Sequence, residues 1–202
     1  MNARVRIASR GATMKLGKTV TIILISSLGI SAARASDSTR VDAGVESRAD
    51  GIMKKMTLEE KIDMLGGTGF ASKPNPRLGI PELKMTDGPV GVRWEKSTAL
   101  PASIAMAATW DPSLVSNLGR ALARETKGHG RNVILGPCVN IHREPQGGRN
   151  FESFGEDPYL AGRMAVAYIR GVQNEGVLAT VKHFACNNQE FERGTISAEV
   201  DA

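Results

Sequence analysis

The run Val177 to Val181 is short, apolar and rich in β-branched residues, follows Gly176, and stops abruptly at Lys182 and His183. It comes straight after a long amphipathic segment, the signature of a buried parallel strand in a βα repeat. The polar pair therefore sits at the strand's carboxyl end, where parallel α/β folds bind ligands because the loops converge there. A Lys-His pair at a strand end is ordinarily solvated surface. The next residues argue otherwise: Asn187, Asn188, Gln189 and Glu190 are four hydrogen-bonding side chains in a row beside a buried strand. Such groups are costly there unless partnered, and an array of sugar hydroxyls suits them.

The same pattern recurs upstream. Leu83 to Thr86 predicts a short strand, with Asp87-Gly88-Pro89 turning the chain at its end. Asp87 either caps that turn or faces a ligand; its place at a second carboxyl end is what draws notice. Val133 to Val139 predicts another buried strand, followed by a long polar loop that carries His142, Arg143, Arg149, Glu152, Glu156 and Asp157, with Phe151 and Phe154 as anchors. Between these strands lie helices: one opened by Asp111-Pro112 and running to about Gly128, another opened by Asp157-Pro158 and ending near Gly176. Nearer the amino terminus, Val45 to Met56 is helical in pattern. Thr57 then caps a second helix, with Glu60 at the capping-box position and Gly66-Gly67 as the stop. The string GGTGFA follows a helix rather than a strand and reads as a turn, not a dinucleotide fingerprint. The alternation of strand and helix makes this an α/β chain with a parallel sheet.

Charge bears on partners only after one correction. The net charge is +5, yet the first 35 residues hold Arg4, Arg6, Arg10, Lys15, Lys18 and Arg34 and no acid. Without them 20 basic residues stand against 21 acidic, a net of −1. The basic balance belongs to the leader and does not argue for nucleic acid. That leader has cations, the apolar run Val20 to Ile30, then Ala33-Arg34-Ala35, which is the anatomy of a secretory signal. Its apolar run is too short to span a bilayer as a helix. Residues 1–35 are therefore expected to direct export to the periplasm or outside of a bacterium and to leave no stable membrane insertion after cleavage. A tighter version of the signal begins at Met14. Cys138 and Cys186 match no zinc or redox spacing and are expected to be small core residues, with pairing in an oxidising compartment the alternative.

Three strings, TDGPVGVR, GGRNFESFGEDPYLAG and VKHFACNNQE, stand in this order and at these intervals over roughly Met53 to Ala202. Together they resemble the amino-terminal domain of the family 3 glycoside hydrolases, whose common members are β-glucosidases. The resemblance implies a (β/α)8 barrel of the TIM type. Such a barrel takes about 250 residues, so residues 36–202 are expected to form the first half of one. By similarity Asp87 binds the 4- and 6-hydroxyls of a terminal glucosyl unit, Arg149 reaches the same sugar, Lys182 and His183 grip hydroxyls around the ring, and Glu152 orients Arg149. The implied substrate is a β-glucoside or oligosaccharide, with a β-xyloside as the alternative. The hexosaminidase branch is set aside, because there a catalytic histidine follows the lysine-histidine pair and no histidine follows His183 here.

Members of the family retain configuration, which takes two carboxyl groups about 5–5.5 Å apart, a nucleophile and an acid/base. The family's nucleophile lies in a Ser-Asp-Trp-like string, and no such string occurs in these 202 residues. Asp87, Glu152, Glu156, Asp157, Glu190, Glu192 and Asp201 show no spacing that would set two of them across one bond, so no catalytic residue is named. The expectation is an exported retaining β-glucosidase of which this chain carries the glycone-binding half, inactive alone. A non-catalytic sugar-binding module and a non-functional truncated remnant are the alternatives. Paired-carboxylate hydrolysis needs no cofactor, and no metal-ligand or cofactor motif is present.

Overall fold

The computed structural model describes residues 42–199, and the expected leader lies outside them. The described residues fall almost wholly within one compact unit, Gly44–Ala202. Its centre is a parallel sheet of β1 (Met85–Asp87), β2 (Val133–Leu135) and β5 (Leu178–Ala179), in the order β1-β2-β5. Asp87 stands level with Leu135, and Val133 with Leu178, so all three carboxyl ends open on one side. A second parallel pair, β3 (Cys138–Ile141) with β4 (Ser153–Gly155), extends that side.

The long helices α4 (Pro112–Gly128) and α5 (Pro158–Asn174) begin as their sequences dictate. Asp111 accepts from Ser113 N and Leu114 N, Asp157 accepts from Tyr159 N, and proline occupies the first turn of each helix. Their apolar faces meet the sheet in one core that includes Val115, Leu122, Ile134, Phe154, Met164, Tyr168, Val172 and Val177. Two glycines let the helices approach: a Cβ at Gly171 would stand 2.1 Å from the Ser116 carbonyl oxygen, and one at Gly119 2.6 Å from that of Tyr168. Alanine at either place would force the helix axes apart. The short α3 (Ser103–Ala108) closes the core over β4 through Met106 and Ala107.

Ahead of the sheet, α1 (Ala43–Met53) buries no side chain, and α2 (Leu58–Met64) starts with the expected reciprocal capping box between Thr57 and Glu60. No helix among the described residues is long and apolar enough to cross a membrane.

Four local expectations are corrected. The run Val133 to Val139 is two strands, because Gly136-Pro137 interrupts it and Pro137 has no N–H to give a ladder. The polar stretch after it is ordered by β4 and a 3-10 turn at Asn150–Glu152, anchored by Phe154 but not by Phe151, which is half exposed. Of the run Val177 to Val181 only Val177 is buried, since β5 is an edge strand of the sheet and Leu178 and Val181 lie largely open. Cys138 is buried as expected, but Cys186 is only half-buried, with φ at 68°; both are free thiols.

Candidate functional site

The chain beyond β5 keeps its parallel course, with Lys182 N donating to Pro137 O and Val139 N donating to Lys182 O. This ladder carries Lys182 up beside the end of β1. There its ammonium donates to Asp87 Oδ1 at 2.9 Å, across 95 residues of sequence. Asp87 also accepts from Gly88 N at 2.9 Å and faces Arg93 at 3.5 Å, so it caps its turn and meets a distant cation at once. Lys182 has a second acid, Glu152, at 3.6 Å, and Glu152 takes a hydrogen bond from Arg149 Nε. Arg149 then reaches Glu190 at 3.3 Å, and Glu190 is held in turn by Arg193 at 3.1 Å and Asn187 at 3.0 Å.

The result is an unbroken alternation of charge from Arg93 through Asp87, Lys182, Glu152, Arg149 and Glu190 to Arg193. Glu152 is its buried keystone, at 4 % exposure. Each acid is shared by two cations, which is how several charges can sit this close without strong mutual repulsion. His183 completes the group from the other side: its Nδ1 lies 2.7 Å from Asn140 Oδ1 on β3 and 3.7 Å from the Cys138 thiol. The four residues singled out from the sequence thus converge at one end of the sheet, and Glu152 holds Arg149 as the resemblance implies. Of the polar quartet after Cys186, Glu190 accepts from Arg149, Asn187 donates to Glu190, and Gln189 Oε1 is buried without a hydrogen-bond partner among the described residues. Sequence reasoning missed Asn140, although an asparagine interrupting an apolar strand was the signal for it.

A cleft of about 190 Å³ opens beside His183 between Asn140, Arg143, Cys186 and Asn188. A larger one of about 400 Å³, lined by Phe70, Lys84, Trp94, His129 and Arg131, lies by the residues that lead into β1 and β2. That is the closed end of parallel α/β sheets, and Arg131 already covers the Trp94 ring at 3.5 Å.

The electrostatics set two protonation states. Burial acts to raise the Asp87 carboxyl, but the hydrogen bond and charge of Lys182, the Gly88 N–H and Arg93 together outweigh it and hold the group below its ordinary 3.8. His183 is held below its ordinary 6.5, first by burial and then by the positive charges of Arg149 and Lys182, against a smaller opposite pull from Glu152 and Glu190. The imidazole is therefore neutral near neutral pH. Because its folded value is depressed, the unfolded chain takes up a proton that the folded chain resists, and stability falls as pH drops from about 6.5 toward the folded value. Urea unfolding midpoints should decline between about pH 7 and pH 5, and His183→Gln should flatten that decline. Equal slopes in the two proteins would contradict the assignment of a neutral His183.

Compared with known proteins, residues 47–201 match the glycosyl hydrolase family 3 N terminal domain. A β-glucosidase of Rhizobium radiobacter is 49 % identical over 160 residues, covering 75 % of this chain and 20 % of the relative. Among solved structures, DesR, a β-glucosidase from Streptomyces venezuelae in complex with D-glucose, superposes with a TM-score of 0.71 at 41 % identity, over 77 % of this chain and 21 % of that one. β-Glucosidase 3B from Thermotoga neapolitana in complex with α-D-glucose gives 0.65 at 36 % identity, over 71 % and 24 %. The chain spans about a fifth of the length of the curated relatives it matches.

Proposed function

The chain belongs to glycosyl hydrolase family 3, and we propose that it supplies the glycone subsite of an exported, retaining β-glucosidase, with Asp87, Arg149, Lys182 and His183 as the residues that hold the terminal glucosyl unit. The observation that carries the reading is the 2.9 Å pairing of Asp87 with Lys182 at the carboxyl ends of two parallel strands. A carboxylate offers about four lone-pair sites. Lys182 and Gly88 N occupy two on Oδ1; Oδ2 faces only the largely exposed Arg93 guanidinium at 3.5 Å, with no hydrogen bond to it, and its sites suit two hydroxyls of one sugar edge, the 4- and 6-positions. Asp87 is about one-third exposed, so those sites are open to a ligand.

Lys182 has three N–H bonds, one of them directed at Asp87, and it brings a donor to the ring hydroxyls. Arg149, pinned by Glu152 and Glu190, brings a planar donor fork. Each acid in this network is paired with two cations, and the reading gives them binding and positioning roles. We assign neither reacting carboxyl group to a residue of this chain. Export rests on the leader sequence, and the β-glucoside substrate on the names of the relatives.

Calorimetry with D-glucose and D-xylose, alongside an aryl β-glucoside assay, tests the proposal on residues 1–202. The expected result is saturable glucose binding, weaker xylose binding because the 6-hydroxyl is missing, and no turnover. Absence of glucose binding, or xylose binding as tight as glucose, would overturn the subsite; turnover would overturn the assignment of the carboxyl groups.

A further inference from the structure

Asn140 stands on β3, outside the charged network, and two donors from one residue converge on its side chain. His183 N lies 3.2 Å and His183 Nδ1 2.7 Å from Asn140 Oδ1. The backbone contact decides the chemistry of the ring contact. A main-chain N–H can only donate, so the amide atom facing it must be the oxygen. Nδ1, at 2.7 Å from that same oxygen, must then carry a proton, because two lone pairs would otherwise face each other. The Cys138 Sγ at 3.2 Å is a weak contact that fits the same orientation, and the backbone N–H alone fixes it.

With Nδ1 protonated, a neutral ring keeps its lone pair on Nε2. We propose that Asn140 is a positioning residue that locks His183 in the Nδ1–H tautomer, so that the imidazole meets the sugar as a hydrogen-bond acceptor. This rests on the glycone reading of His183 and adds a polarity to it. Lys182 and Arg149 can only donate, whereas a hydroxyl that receives a bond from either must pass its own proton onward. Nε2 of His183 is the acceptor for that proton. The charged groups facing the ring favour the neutral form, since Arg149 and Lys182 outweigh Glu152 and Glu190.

The chain has three histidines, so the His183 signals are identified by their loss in His183→Gln. Nitrogen-15 NMR of the imidazoles at about pH 7.5 reads the tautomer directly. The expected spectrum has Nδ1 protonated and Nε2 bare, and Asn140→Ala should return the ring to the Nε2–H form preferred in water. D-glucose affinity in that variant should fall about tenfold, the equivalent of one hydrogen bond at about 1.4 kcal/mol. Asn140→Asp keeps the shape and the acceptor but adds a negative charge, so the His183 titration midpoint should rise by about one pH unit or more; this variant carries the test if Asn140→Ala does not fold. An Nε2–H ring in the unsubstituted protein, or a tautomer unchanged by Asn140→Ala, would overturn the proposal. So would full glucose affinity in a folded Asn140→Ala. If the tautomer behaves as expected while the unsubstituted protein binds no glucose, Asn140 keeps its role toward the ring and the glycone reading alone fails.

Discussion

Asp87→Asn should weaken D-glucose binding by about a hundredfold while leaving the protein folded. The substitution preserves shape and leaves one acceptor oxygen, but it removes the charge that makes the bonds to the sugar edge strong. Hydrogen bonds to an ionised carboxylate contribute about 1.5–3 kcal/mol. Losing the charge toward two hydroxyls, with the weaker amide acceptor retained, amounts to about 2.7 kcal/mol, or two decades in affinity. The fold should tolerate the change because Asp87 lies at the rim of the sheet and Lys182 retains Glu152 at 3.6 Å. Xylose, which has no 6-hydroxyl, should lose less, so the glucose-to-xylose preference should shrink. Calorimetry on both sugars checks this, and an undiminished glucose affinity would remove Asp87 from the site.

Glu152→Leu should act on the fold itself, lowering stability by about 3 kcal/mol. Glu152 is buried and stands between Arg149 and Lys182, whose side chains are only 25 % and 13 % exposed. Removing one member of a buried charge cluster leaves the others uncompensated, and such losses run to about 3–5 kcal/mol; the partial exposure of Arg149 places this one at the lower end. The urea midpoint should fall accordingly. The double variant Glu152→Leu with Arg149→Met should recover part of the loss, because it removes a stranded cation along with the acid. A single-variant cost within about 0.5 kcal/mol of zero would mean the cluster is solvated rather than buried.

What could be read from the sequence and what could not divide along physical lines. The capping box at Thr57, the Asp-Pro starts of α4 and α5, and the carboxyl-end placement of Asp87 and Lys182 are local signals, because cap chemistry and apolar runs are written in consecutive residues. The break at Gly136-Pro137 was written there too, yet the apolar run on either side masked it. The network is not local: nothing in the spacing of Asp87, Glu152 and Lys182 says that one ammonium meets both acids, since their meeting depends on strand register. Glu190 shows the same limit. Its polar neighbours point to a sugar, and the fold also sets it against Arg149, a pairing that no local spacing shows. Asn140 went unread because its partner is 43 residues away.

The most direct test of the central claim is a crystal structure of the protein with D-glucose bound. The account predicts one glucose at the carboxyl end of the sheet, with its 4- and 6-hydroxyls on the Asp87 carboxylate, Arg149 and Lys182 donating to other hydroxyls, and His183 Nε2 accepting from one of them. Glucose seated away from Asp87, or an undisturbed site at saturating sugar, would contradict it.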